Sequence, residues 1–140
     1  MTKEENMGEK KEVQRAIERM IEEVWNQKRL DVLSELYQPD AKVYLSSGVL
    51  EGSDRLRDEF IRPTQSAFPD LHHEIADIMV EGNKVAMRYV GSGTHQGDFD
   101  GKEATGKRFT YEGITLFHMS DNRVAEVWNH SNWSEKFAEL

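Results

Sequence analysis

At Leu71 the spacing of apolar residues changes from the period of a helix to the period of a strand. Upstream, Val13, Ile17, Met20, Ile21 and Val24 recur at intervals of four, three, one and three, which places them on one helical face. Trp25 closes this helix, and Asn26 and Lys28 suit its end. Val32, Leu33, Leu36 and Tyr37 give a second, short helix. Pro39 stops it, because the residue before a proline avoids the helical region. Ala41, Val43 and Leu45 then alternate with polar neighbours as a strand, and Ser47-Gly48 turns the chain into a short return strand at Val49. Ser53 caps a third helix carrying Leu56, Phe60 and Ile61, which Pro63 kinks or ends. Downstream of Leu71 the pattern predicts strands over about 71–80, 84–95, 107–119 and 123–133, with a glycine-rich loop over 96–106 and a short tail helix from Ser134.

Helices first and a meander of strands after make an α+β domain. The apolar stripes of the helices have only the sheet to cover them. The predicted fold is therefore a cone of cystatin-like shape, with the N-terminal helices on the concave face of a strongly curved, mainly antiparallel sheet. The open mouth of such a cone is a natural pocket for a small ligand. With 140 residues there is room for one such domain, read here as 11–135, with a flexible charged segment at 1–10 and a tail at 136–140.

Charge and residue usage narrow the function classes. The formal net charge is −8, and an acidic surface repels phosphate backbones, so nucleic acid is not an expected partner. Cysteine is absent, which removes disulfides, thiolate metal sites and cysteine nucleophiles. No apolar run approaches a membrane span, and the charged start MTKEENMGEKKE has no signal-peptide core. The expectation is a cytoplasmic protein with no membrane partner.

The hairpin at Asp121-Asn122 sets a register for the last two strands. Counting from it puts Phe109, Tyr111, Gly113, Thr115, Phe117 and Met119 on one face with Val124, Glu126, Trp128, His130 and Asn132. This face holds most of the large aromatics and is read as concave, barring a bulge. The other face, with Ile114, Leu116, His118, Ala125, Val127 and Trp133, is also apolar. A sheet apolar on both sides predicts a homodimer through its outer face.

The motifs for other chemistries are missing. There is no HExxH and no acidic calcium loop. His72 and His73 are strand neighbours that point to opposite faces and cannot share an ion, so no metal site is predicted. Gly91 and Gly93 do not form a dinucleotide fingerprint and mark sheet bending instead. What remains is acid/base work by a group desolvated between aromatic walls. His130 is the first candidate, because it alternates with Trp128 and Asn132; otherwise it is a core or rim histidine. Tyr44, Tyr111, Phe60 and Phe117 are read as pocket wall, the two phenols also as donors to a ligand oxygen. Glu126 shares the same face. Arg88 matters if it points inward and is a solvated cation if it does not. His95 sits where a strand meets the long loop, at the mouth or in solvent.

Several segments together carry a resemblance. They are Phe68-Pro69-Asp70-Leu71, Gly82-Asn83-Lys84-Val85-Ala86, and Gly93-Thr94-His95-Gln96-Gly97-Asp98-Phe99 with Gly101. Thr105-Gly106-Lys107, Tyr111-Glu112-Gly113-Ile114 and Asp121 through Trp128 follow in order. In order and spacing the chain resembles the SnoaL-like polyketide cyclases of the nuclear transport factor 2-like superfamily. The resemblance implies the α+β cone, a homodimer, a ligand cavity, and ring closure by intramolecular aldol chemistry without a cofactor. The family's acid/base aspartate stands four residues after a tryptophan, a position held here by Asn132. An amide has no proton to exchange near neutral pH. A histidine of the preceding strand is also associated with the family site, and His118 is its counterpart. The reading is a cofactor-free enzyme on a small hydrophobic carbonyl compound. The alternatives are a binding module for such a ligand and a protein-interaction domain.

Overall fold

The computed structural model describes residues 2–140. Helix α1 spans Lys3–Arg19 and so takes in most of the charged lead-in. Thr2 caps it by accepting from the Glu5 N–H while the Glu5 carboxylate accepts from the Thr2 N–H. The helix continues as a wider, π-type stretch over Met20–Asn26. The stripe found in the sequence is its buried side: Val13, Ile17, Met20, Ile21 and Val24 are all buried. A 3-10 turn at Leu30–Val32 leads into α2, Leu33–Leu36.

Strand β1 spans Tyr37–Leu45, so it starts four residues before the expected Ala41. Tyr37 is already extended, and Pro39 stands inside the strand at a register irregularity between Tyr37 and Lys42. Strand β2 is Gly48–Glu51. Helix α3 is a single turn at Ser53–Arg55, followed by a wide stretch at Leu56–Ile61 and helix α4 at Arg62–Ala67. Pro63 falls at the junction where the wide stretch passes into α4, so it marks a change of helix type and does not end the helix. The remaining strands are β3 at His72–Glu81, β4 at Lys84–Thr94, β5 at Arg108–Ser120 and β6 at Arg123–Ser131. Helix α5, Trp133–Ala138, ends the chain.

The six strands form one sheet in the order β2-β1-β6-β5-β4-β3. All neighbours are antiparallel except β1 and β6. The helices cover its concave face. The concave positions of β5, from Phe109 to Met119, are buried at every second residue, as the alternation predicts. Phe68 is fully buried where α4 ends. It holds Phe99, Phe109 and Trp133 at centroid distances of 5.6, 5.2 and 5.1 Å, which ties the long loop and α5 to the sheet. Among the described residues no helix is long and apolar enough to cross a membrane.

Two bulges set which side chains face the cone. In β6, Met119 pairs with Val124 but His118 pairs with Glu126, so Ala125 is an extra residue. Beyond it, Val127, Asn129 and Ser131 take the concave side. Glu126, Trp128 and His130 turn to the outer one, opposite His118, Leu116 and Ile114. In β3, Asp77 pairs with Arg88 but Ile75 pairs with Tyr89, so Ala76 is extra. That insertion turns His73 inward, opposite Gly91.

Candidate functional site

A cavity of about 520 Å³ lies between the helices and the sheet. Met20, Ile21 and Trp25 line it from the first helix, Leu56 and Phe60 from the stretch after α3. Tyr89, Tyr111, Thr115, Phe117 and Asn129 form its floor. The charged residues of its lining are Glu59 and Asp100, both exposed and so at the rim.

Two polar stations stand on this floor, and each depends on a glycine. Gly91 of β4 pairs with His73 on one side and Tyr111 on the other. Adjacent strands are ~4.8 Å apart, so β3 and β5 are too distant for most side chains to meet. A Cβ on Gly91 would lie 2.6 Å from His73 Cδ2 and 2.6 Å from Tyr111 Cε2. Without it, the imidazole and the phenol lean over the glycine, and His73 Nε2 hydrogen-bonds the Tyr111 hydroxyl. In the neighbouring strand β5, Gly113 makes room in the same way. A Cβ there would sit 2.7 Å from the Tyr89 hydroxyl and 2.7 Å from Ser131 Cβ. Tyr89 reaches across it and donates to Asn129 Oδ1 at 2.9 Å; the Thr115 hydroxyl donates to the same oxygen at 3.0 Å.

Burial sets the protonation of the first station. His73 is buried, with Trp25 and Tyr89 at centroid distances of 4.9 and 5.3 Å. Loss of solvent, with a smaller effect of His72, pushes its pKa down from 6.5 to about 4. Burial, with a smaller effect of Tyr89, pushes Tyr111 well above the ordinary phenol value. Both groups are thus neutral at pH 7. Which of the two donates in their shared bond depends on the imidazole tautomer. The backbone of His73 is held in place: Asn26 Nδ2 donates to its carbonyl at 2.9 Å, and its N–H donates to Asn26 Oδ1 at 2.8 Å. The last residue of the first helix thereby satisfies a segment of the edge strand β3.

The residues singled out from the sequence fall in three places. Phe60, Tyr111 and Phe117 line the cavity. Tyr44, His118, Glu126 and Trp128 gather on the outer face. Tyr44 stacks on Trp128 at 5.0 Å and donates to Glu126 at 3.0 Å, and His118 meets Trp128 at 4.6 Å. Arg88 is also outside, paired with Asp77 at 2.8 Å. For Glu126, Trp128 and His130 this corrects the concave assignment, and the cause is the extra Ala125. His130 borders the cavity but is exposed and pairs with Ile114. Tyr44 is outside because Val43 and Leu45 take the inward positions of β1. Asn132 is engaged beyond the strand end, where its Oδ1 accepts from the Glu112 N–H at 2.8 Å.

His95 lies outside the cavity and is fully buried, stacked on Phe68 at 5.3 Å. Its Nδ1 accepts from the Thr105 N–H at 3.2 Å, so it holds together the two ends of the long loop. Among the described residues, no group of three or more metal-ligating side chains converges.

His73, Tyr89 and Asn129 are the residues that sequence reasoning misses. Counting back from the turn at Gly82-Asn83 without a bulge pairs His73 with Ser92, on the outer face. The signal within reach is the pair Gly91 and Gly113, side-chain gaps on a face otherwise filled with aromatics.

The family model described as SnoaL-like polyketide cyclase matches residues 15–140. No curated protein matches the chain. Among solved structures it is similar to TsrD from Streptomyces laurentii, at 26% identity over 92% of this chain and 96% of that one, with a TM-score of 0.81. It is similar to IdmH from Streptomyces antibioticus, described as a polyketide cyclase, at 27% identity over 91% and 97%, TM-score 0.75. It is similar to AclR from Streptomyces galilaeus, described as a hydroxylase, at 28% identity over 88% and 90%, TM-score 0.78.

Proposed function

The chain belongs to the SnoaL-like polyketide cyclase family, and from that premise we propose that it binds a small hydrophobic carbonyl compound in its cone and moves a proton on it without a cofactor. The observation that carries this reading is the His73–Tyr111 pair, a buried neutral imidazole and phenol facing one cavity. An imidazole held at a pKa of about 4 is in its base form through the neutral range. Its conjugate acid is strong and gives the proton back readily. In the proposed step the imidazole removes a proton from the carbon next to a carbonyl. The C–H electrons form a C=C bond and the carbonyl electrons move onto oxygen. In an unsaturated compound, returning the proton to the far carbon of the conjugated enolate isomerises it; alternatively, attack of the enolate carbon on a second carbonyl closes a ring, and the imidazolium gives the proton to the new alkoxide. Either course leaves the proton count unchanged, so His73 takes the role that the family gives to an aspartate.

A substrate-independent test is exchange of the methyl protons of 2-acetylnaphthalene in deuterium oxide, followed by NMR. The protein should accelerate it, and His73→Gln should remove at least about a hundredfold of that acceleration. Exchange no faster than buffer, or undiminished in His73→Gln, would overturn the assignment. A binding-only reading is favoured by the lack of a carboxylate inside the cavity, and it predicts saturable binding of the ketone with no exchange.

The proposal includes a cytoplasmic homodimer through the outer sheet face. Ile114 and Leu116 are 57% and 36% exposed there, beside the Tyr44–Trp128 stack.

A further inference from the structure

Asn129 stands at the centre of the second polar station and takes no part in the proton transfer proposed above. Its side-chain oxygen is saturated by two hydroxyls, from Tyr89 at 2.9 Å and Thr115 at 3.0 Å. Both donors are fixed to the sheet. Tyr89 is buried and wedged over Gly113, and Thr115 is buried directly across the ladder from Asn129. With the oxygen end held this way, the amide can point only its nitrogen elsewhere. Asn129 lines the cavity, and its NH₂ has no partner among the described residues. A pair of N–H donors beside an aromatic cavity is selective, because a ligand that cannot accept from them leaves them unpaired at a cost.

We infer that the Asn129 amide is the group that selects the ligand, by donating to a neutral acceptor oxygen, with Tyr89 and Thr115 as positioning residues that hold the amide in that orientation. The inference rests on the ligand-binding reading above and adds the chemical class. Charge on the lining supports it. The lining has no lysine or arginine, and its two carboxylates, Glu59 and Asp100, stand at the rim. A carboxylate ligand would lose its hydration and meet no counter-ion. A ketone, aldehyde, ester or amide oxygen suits the site; an acid does not.

The test is a selectivity measurement with three probes on one ring system: 2-acetylnaphthalene, the near-isosteric hydrocarbon 2-isopropylnaphthalene, and 2-naphthoate. Binding is read from quenching of protein tryptophan fluorescence, since Trp25 faces the cavity. Wild type should prefer the ketone over the hydrocarbon by about tenfold, the value of one interior hydrogen bond, and should bind naphthoate more weakly than the ketone. Asn129→Leu should abolish the preference while keeping hydrocarbon affinity. Asn129→Asp keeps the shape and removes the donors. It should lose the ketone preference and bind the cation of 1-(2-naphthyl)ethylamine more tightly than wild type does. Tyr89→Phe with Thr115→Val should reduce the preference without changing hydrocarbon binding, which a merely structural loss would weaken equally. A ketone preference that survives both Asn129 variants overturns the assignment of Asn129 and leaves the ligand reading intact. Equal binding of ketone and hydrocarbon by wild type does the same, and tighter binding of naphthoate overturns the neutral class. Saturable binding of none of the probes overturns the ligand reading itself, and this inference with it.

Discussion

His73 of β3 and Tyr111 of β5 are two strands apart and still share a hydrogen bond, because the strand between them carries Gly91 where a side chain would stand. The cavity chemistry therefore rests on a missing group. Gly91→Ala should force the imidazole and the phenol apart, since the new methyl would overlap both rings. Overpacking of this kind costs about 1–3 kcal/mol, and a urea titration would measure it. Proton exchange on 2-acetylnaphthalene should fall in the same variant. A fully stable, fully active Gly91→Ala protein would show that the contact is dispensable.

Stability should depend on pH through His73. The unfolded imidazole titrates near 6.5 and the folded one near 4. The folded state therefore favours the neutral ring, and its stabilising effect is complete above pH 6.5. It is lost as pH falls from 6.5 towards 4, where the unfolded chain takes up a proton that the folded one does not. Over that window the loss from this group is about 3 kcal/mol. Urea midpoints at pH 7 and pH 4.5 should differ more in the native protein than in His73→Gln. Equal differences would remove His73 as the source.

Asn26 clamps the same histidine from the backbone side, with bonds of 2.8 and 2.9 Å. Asn26→Leu leaves a donor and an acceptor of β3 without partners, at an expected cost of about 1–3 kcal/mol. Amide hydrogen exchange at His73 should speed up selectively, while Tyr89 and Phe117 in the central strands stay protected.

The outer face should hold two copies together. Ile114→Asp with Leu116→Asp would bury two unpaired carboxylates in such an interface. Light scattering at micromolar concentration should report a dimer for the native chain and a monomer for the double variant. The cavity, on the opposite face, should keep its ligand affinity in that monomer. A native monomer would remove the interface.

The fold is legible in the sequence because apolar periodicity is a bulk signal that tolerates local error. The stripe Val13, Ile17, Met20, Ile21, Val24 and the alternation Phe109 to Met119 each repeat over several turns or residues, and both are buried as read. The site is less legible because it hangs on parity. Tyr111 can be found, since no bulge separates it from the other inward residues of β5. His73 escapes and His130 draws the eye for one reason: a single inserted residue reverses every face assignment beyond it. Ala76 and Ala125 carry no sequence mark that distinguishes them from ordinary strand alanines.

The paired bulges also govern how knowledge can travel between relatives. The extra Ala76 in β3 turns His73 towards the cavity, and the extra Ala125 in β6 turns His130 to the outer face. Matching this chain to a relative column by column therefore transfers a catalytic role only within stretches that share the same bulge count. Ala125 lies on the hairpin side of Trp128, so it leaves the count of four residues from Trp128 to Asn132 unchanged while it reverses every face assignment counted from the hairpin past it. In this sheet a one-residue insertion or deletion re-aims every side chain beyond it, so it changes the cavity lining more than a single substitution does.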